Sequence, residues 1–226
     1  MPPYFGMHLQ RKTGCLPENY VAQIYAAIMG FGCPFKSGYG NGFHEVATYE
    51  EIVSWNQTKL QQGFKLGRTE HCRNDYMQIL FDSQVFSEMR GFWSYDESEI
   101  SFSLIIPEYD ILYCDGNSKE REARISYLRM LGIRIWETGL VNVIQTSLEI
   151  DGYYNMDRVL AGENVMTRPF AIIPRDALKH FKNTYFEGMV DVVNNGVLLE
   201  KDKDLWNRSL EAAEREYTRY RRSRHF

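Results

Sequence analysis

The 226-residue sequence reads as an α+β protein, an antiparallel sheet built largely as a meander, packed by helices on one face and flanked by N- and C-terminal helices. Three observations predict this. Glu99, Ser101 and Ser103 alternate with Ile100, Phe102, Leu104 and Ile106, the period-two pattern of a strand with one apolar and one wet face. Two more strand-like runs, near residues 76–82 and 89–95, come just before it, with short polar connections such as Asp96-Glu97-Ser98. Apolar residues recur at helical spacing in Val21, Ile24, Tyr25 and Ile28, and again in Leu128, Leu131 and Ile135.

The elements follow in order. A helix spans about 18–30 and stops near Gly30, leading into a Gly-rich loop from Phe31 to His44. Thr48 and Glu51 form a T-x-x-E capping box that opens a second helix ahead of Ile52, Val53 and Trp55, with Gly63 ending it. After the three strands, Pro107 closes the last because it cannot donate to a ladder. The run Ile111–Cys114 reads as a further short strand before the turn residues Asp115-Gly116-Asn117. Ser118 is placed as the N-cap of a long helix, with Glu120 and Glu122 complementing its dipole, Trp136 extending it and Gly139 as its stop. Leu140–Ile150 returns as a strand, and Phe170–Ile173 as another that runs into a helix over Arg175–Phe181. Asn195-Gly196 is a type I′ signal pairing 189–193 with 197–200. A charged helix begins near Asp202 and ends in Arg219, Arg221, Arg222 and Arg224. With no repeat or linker, the expectation is a single domain over 1–226: a helical part at about 1–65, a sheet–helix core at 66–200 and a terminal helix at 202–224.

Composition narrows the function classes. The chain holds 15 Tyr, 13 Phe and 4 Trp, residues that fill cores and are also favoured at protein interfaces. Residues 201–226 carry eight Lys/Arg against five Asp/Glu, net +3, whereas the remainder carries 18 against 25, net −7. An acidic body disfavours nucleic acid and attracts a basic partner. No window of 18 apolar residues suggests a membrane span, and Met1-Pro2-Pro3-Tyr4 lacks the build of a signal peptide, so the expected compartment is the cytoplasm. Cys15, Cys33, Cys72 and Cys114 form no CxxC pair, which favours reduced thiols.

Catalytic motifs are weak. In Gly38-Tyr39-Gly40-Asn41-Gly42, Phe43-His44-Glu45 follows the glycines where a phosphate loop of an NTPase places Lys-Ser/Thr. Cys33, His44, His71 and Cys72 match a Cys₂His₂ set by count only, since adjacent His71-Cys72 fits tetrahedral zinc poorly. There is no G-x-S-x-G elbow and no H-E-x-x-H. No catalytic residue, metal ligand or cofactor site is therefore expected. Acidic residues do cluster beside aromatics: Asp96, Glu97 and Glu99 next to Trp93 and Tyr95, and Glu108 and Asp110 around Tyr109. Carboxylates interleaved with rings suit capture of a basic protein surface.

The block Phe102–Glu108, then Leu128, Leu131 and Ile135-Trp136-Glu137, then Val141, Gln145-Thr146 and Glu149, resembles some bacterial immunity proteins of polymorphic and contact-dependent toxin systems, over about residues 76–150. The resemblance implies stoichiometric inhibition of a toxin and no catalytic residues. The leading expectation is thus a non-catalytic cytoplasmic protein that inhibits a basic partner, with Trp93, Tyr95, Asp96, Glu97, Glu99, Glu108, Tyr109 and Asp110 as the partner-binding residues. Two alternatives stand beside it: a small hydrolase-like enzyme using the Gly-rich loop and His71/Cys72, and a regulatory protein whose basic tail contacts nucleic acid.

Overall fold

A computed structural model describes residues 3–39, 46–61, 76–95, 98–112, 118–149, 151–182, 186 and 188–200. Its strands are β1 (Tyr4–Lys12), β2 (Phe35–Tyr39), β3 (Gln78–Phe81), β4 (Met89–Tyr95), β5 (Glu99–Pro107), β6 (Val143–Leu148), β7 (Phe170–Pro174), β8 (Gly188–Val192) and β9 (Gly196–Glu200). Its α-helices are α1 (Tyr20–Gly30), α2 (Tyr49–Gln61), α3 (Glu108–Leu112), α4 (Ser118–Glu137), α5 (Met156–Leu160) and α6 (Arg175–Leu178). The strands form one antiparallel sheet in the order β2-β3-β4-β5-β1-β6-β7-β9-β8. β3, β4 and β5 are the expected meander.

The centre of the sheet is β1, a strand not expected from the sequence. It pairs with β5 along its whole length and with β6 from Phe5 to Gln10. Phe5, Met7 and Leu9 point to one face beside Ile106, Leu104 and Phe102 of β5. On that face α1, α2 and α4 close a core that includes Tyr25, Ile52, Leu128, Leu131 and Ile135. The capping box holds α2 in place: Thr48 N–H and hydroxyl donate to Glu51, and Glu51 N–H donates back to Thr48 Oγ1. A buried network locks α1 and α2 to the sheet. Trp93 Nε1 donates to Tyr25 Oη at 2.8 Å, and Asn56 Nδ2 donates to the same oxygen at 2.9 Å.

The opposite face carries a smaller core at one end. There α5 and α6 cover Val143, Ile173, Val197 and Leu199, so helices lie on both faces. Several sequence expectations change in detail. Part of the Gly-rich loop is strand β2, since Gly38 lets Ile52 pack directly on the backbone. The run after Pro107 is the short helix α3. The β8–β9 turn places Asn194 and Asn195 at positive φ, one residue ahead of the expected Asn195-Gly196 pair. Ser101 and Ser103, expected on a wet face, are buried. The proposed C-terminal helix lies outside the described residues.

Candidate functional site

Strand register sorts the side chains of the second face. Leu80, Arg90 and Ile105 form one row across β3, β4 and β5, and Phe92 and Ser103 form part of the next. Tyr39 and Gln78 pair nearer the β2 edge. Over β2 to β5 no described helix crosses this face, and Tyr39, Tyr76, Leu80, Arg90, Phe92 and Ile105 stay partly exposed. Tyr76 and Phe92 stack with ring centroids 5.8 Å apart at 28°. The Arg90 guanidinium sits 4.9 Å from the Tyr4 ring centroid, with Nε 3.5 Å from a Glu88 carboxylate oxygen. Burial raises the Tyr76 phenol above its usual range, against the opposing pull of Gln78 and Arg90. The result is a partly exposed aromatic and aliphatic surface around the largely buried Arg90, which is ion-paired with Glu88.

Towards β6 the same face becomes a covered polar layer. His8 donates or accepts at both ring nitrogens, to Ser103 Oγ at 2.9 Å and Ser147 Oγ at 3.0 Å. Its ring lies over Gly6, where any Cβ would come within 2.7 Å of the imidazole. Tyr153 stacks on His8 at 3.9 Å and hydrogen-bonds Ser94 through its hydroxyl at 2.9 Å. Burial pushes the imidazole down to about 3, so it is neutral at physiological pH. A histidine between two hydroxyls invites a catalytic reading, but so weak a base is poorly matched to proton transfer near neutrality. Among the described residues no carboxylate hydrogen-bonds it, and Tyr153 roofs it. Its evident work is to hold that roof.

Beside it, Gln10 Nε2 donates to Glu99 Oε1 and to the Tyr154 carbonyl, each at 3.0 Å. Gln145 Nε2 donates to Gln10 Oε1 at 2.6 Å, and its Oε1 accepts from Met166 N–H at 2.9 Å. These bonds fasten the segment from Tyr154 to Met166 onto the sheet. At the β6 end, Glu108 Oε1 accepts from Glu149 N–H at 3.2 Å. Burial first, then the charges of Glu149 and Asp151, push its carboxyl up to about 7. Arg168 binds both Asp151 oxygens at 2.7 Å.

Four described residues of the expected acidic and aromatic surface, Trp93, Glu99, Glu108 and Asp110, are buried. Trp93 is 2 % exposed and lies on the helix-covered face, one residue out of step with Phe92. Tyr95 shares that face and packs against the core. Glu99 is buried and accepts from Gln10 and from Met156 N–H. Glu108, the first residue of α3, is buried against the chain just after β6, where it accepts from Glu149 N–H. Asp110 is buried too, accepting from the Ser87 amide and hydroxyl. These carboxylates are spent on internal donors, which is why they leave the surface. Tyr109, 37 % exposed, remains at the surface with its hydroxyl on Ser87. Asp96 and Glu97 lie outside the described residues.

The same holds for His44, His71, Cys72 and the basic tail. Cys33 is buried, its thiol 3.1 Å from Tyr127 Oη, and burial raises its pKa. Among the described residues no group of three or more His, Cys, Asp or Glu could hold a metal ion, and no helix is long and apolar enough to cross a membrane. Sequence reading missed Tyr4, His8, Arg90 and Phe92. The alternation in β4, Gly91-Trp93-Tyr95 against Arg90-Phe92-Ser94, is the signal that separates the two faces. Neither protein-family models, nor curated proteins, nor solved structures match the chain.

Proposed function

We propose that the chain is a cytoplasmic binding protein that inhibits another protein by occupying it one-to-one, as an immunity protein does a cognate toxin. The partner docks on the part of the sheet over β2 to β5 that no described helix crosses. The carrying observation is the stacked Tyr76–Phe92 pair beside Leu80 and Ile105, partly exposed on a face that no described helix crosses. Contiguous apolar surface of this kind marks interaction sites, and rigid aromatics are common hot spots. The net −7 of residues 1–200 adds long-range attraction for a basic partner.

The test uses the purified chain and a toxin encoded beside its gene. Calorimetry is expected to give a one-to-one complex with loss of toxin activity. A Tyr76→Ala/Phe92→Ala variant with unchanged circular dichroism is expected to weaken binding by about 100-fold, as for two hot-spot rings. Wild-type affinity in that variant would remove the face from the proposal. Toxin activity unaffected by saturating wild-type chain would remove the inhibitory role.

A further inference from the structure

We infer that β8 is an interaction edge for a second copy of this chain: two β8 strands pair antiparallel about a twofold axis at Val190 and join two sheets end to end. β8 closes the strand order at the end opposite β2, and no described strand pairs with its outer side. Alternate residues of such a strand direct their N–H and C=O groups away from the sheet, which makes a template for another strand. Two apolar rows run out at this edge. Ile172, Leu198 and Val190 form one, and Ala171, Leu199 and Met189 form the other on the opposite face. Their inner members are buried, whereas Met189 is 58 % and Val190 52 % exposed.

The two edges of the sheet differ. β2 carries Lys36 and a bulge between Phe35 and Ser37, both of which discourage strand addition. β8 has no lysine, proline or bulge and pairs with β9 over all five residues. Its hairpin is also held in place: Trp136 Nε1 donates to the Val193 carbonyl and Asn194 Nδ2 to the Glu137 carbonyl, each at 2.9 Å. A fixed edge loses little freedom on pairing. Charge permits a copy of the same acidic chain here. The hairpin's two carboxylates are already paired, Asp191 with Arg175 and Glu200 with Arg129, so the edge itself brings no net charge. A register centred on Val190 pairs all five residues, sets Asp191 opposite Met189 of the second copy, and runs the Val190 row on into Val190 and Leu198 of that copy. A slip that centres on Asp191 sets carboxylate against carboxylate. The pairing lies at the far end of the strand order from β2 to β5 and is independent of docking there.

Sedimentation velocity of the full chain over a concentration series tests this. The wild type is expected to pass from monomer to dimer with a dissociation constant on the order of 10–100 μM, as for a small interface. Val190→Lys opposes two ammonium groups on the axis, at a position half exposed in the monomer. It is expected to weaken dimerisation by about 30-fold or more with unchanged circular dichroism. Under mild oxidation Val190→Cys is expected to cross-link to itself across the axis, identified as a linked peptide by mass spectrometry, and Met189→Cys is not. A wild type still monomeric at about 1 mM would overturn the inference. So would a dimer that Val190→Lys leaves intact, or cross-linking that is as ready through Met189→Cys as through Val190→Cys, since either puts the contact elsewhere. Slow hydrogen exchange at the outward-directed β8 amides that does not depend on concentration would also overturn it, because another stretch of the same chain would then hold the edge.

Discussion

Replacing Trp93 and its neighbour Phe92 one at a time separates core from surface on a single strand. Trp93 is 2 % exposed, touches Tyr20, Tyr25 and Phe102, and donates to the Tyr25 hydroxyl. Trp93→Ala removes that packing and a donor together, so a loss of about 3–5 kcal/mol is expected, the range for large aromatic truncations in cores. At this chain length that lowers the melting temperature by about 6–20 °C. Phe92→Ala removes a ring that is partly exposed on the opposite face and stacked only on Tyr76 among its ring contacts, so about 1 kcal/mol or less is expected. Urea unfolding read by far-ultraviolet circular dichroism avoids the loss of the Trp signal. Phe92→Ala costing as much as Trp93→Ala, or Trp93→Ala staying within about 1 kcal/mol of wild type, would refute the assignment of the two residues to opposite faces of β4.

Glu108 is pushed up to about 7, so between the ordinary carboxylate range and that value the folded chain holds a proton the unfolded chain has released. Stability therefore falls as pH rises through this window, and Glu108→Gln is expected to be about 1–3 kcal/mol more stable than wild type near pH 8 with no gain near pH 4, read from urea midpoints. His8 runs the other way. Its folded value of about 3 means that acidification protonates only the unfolded imidazole at first, so stability declines as pH falls from the ordinary histidine range towards 3. His8→Phe, which keeps a ring under Tyr153, is expected to show a shallower acid-side decline in the same assay. Gly91→Ala places a Cβ 2.1 Å from Phe102 Cζ in the core, and a loss of about 1–3 kcal/mol is expected in thermal melts.

The sequence made long, strongly periodic elements legible. The apolar stripe of α1, the capping box of α2 and the alternation of β5 each follow from local chemistry, and each stands where that chemistry places it. What it hid was partnership. Glu99, Glu108 and Asp110 look like solvated turn residues until Gln10, the Glu149 amide and Ser87 are brought to them from 89, 41 and 23 residues away. β1 was hidden for a related reason. Its second face, Gly6, His8 and Gln10, is buried but polar, so hydrophobic alternation understates it. The face of Trp93 was readable from β4 alone, because a Trp alternating with glycine on one side and with Arg and Ser on the other indicates the packed side. That inference needs the register with β5 to become firm, and register is a property of the pair of strands.

The buried polar layer and the apolar surface that no described helix crosses belong to one design. Apolar layers can slide over one another at little cost, whereas amide and carboxylate contacts break when displaced by a fraction of a residue. Gln10, Gln145 and Glu99 receive the chain at Tyr154, Met156 and Met166, which fixes where the covering segment sits. Tyr153 immediately precedes that fastened stretch, and its two contacts, the His8 ring and the Ser94 hydroxyl, place it at the border of the uncovered half. Ser94 follows Phe92 on the same side of β4, so the roof ends where the exposed rings begin. A neutral imidazole serves this better than a charged one, because it can donate to one serine and accept from the other without the cost of burying a charge. Among the described residues the border of the covered half is therefore set by hydrogen bonds beneath the neighbouring roof, while the large core lies on the far side of the sheet.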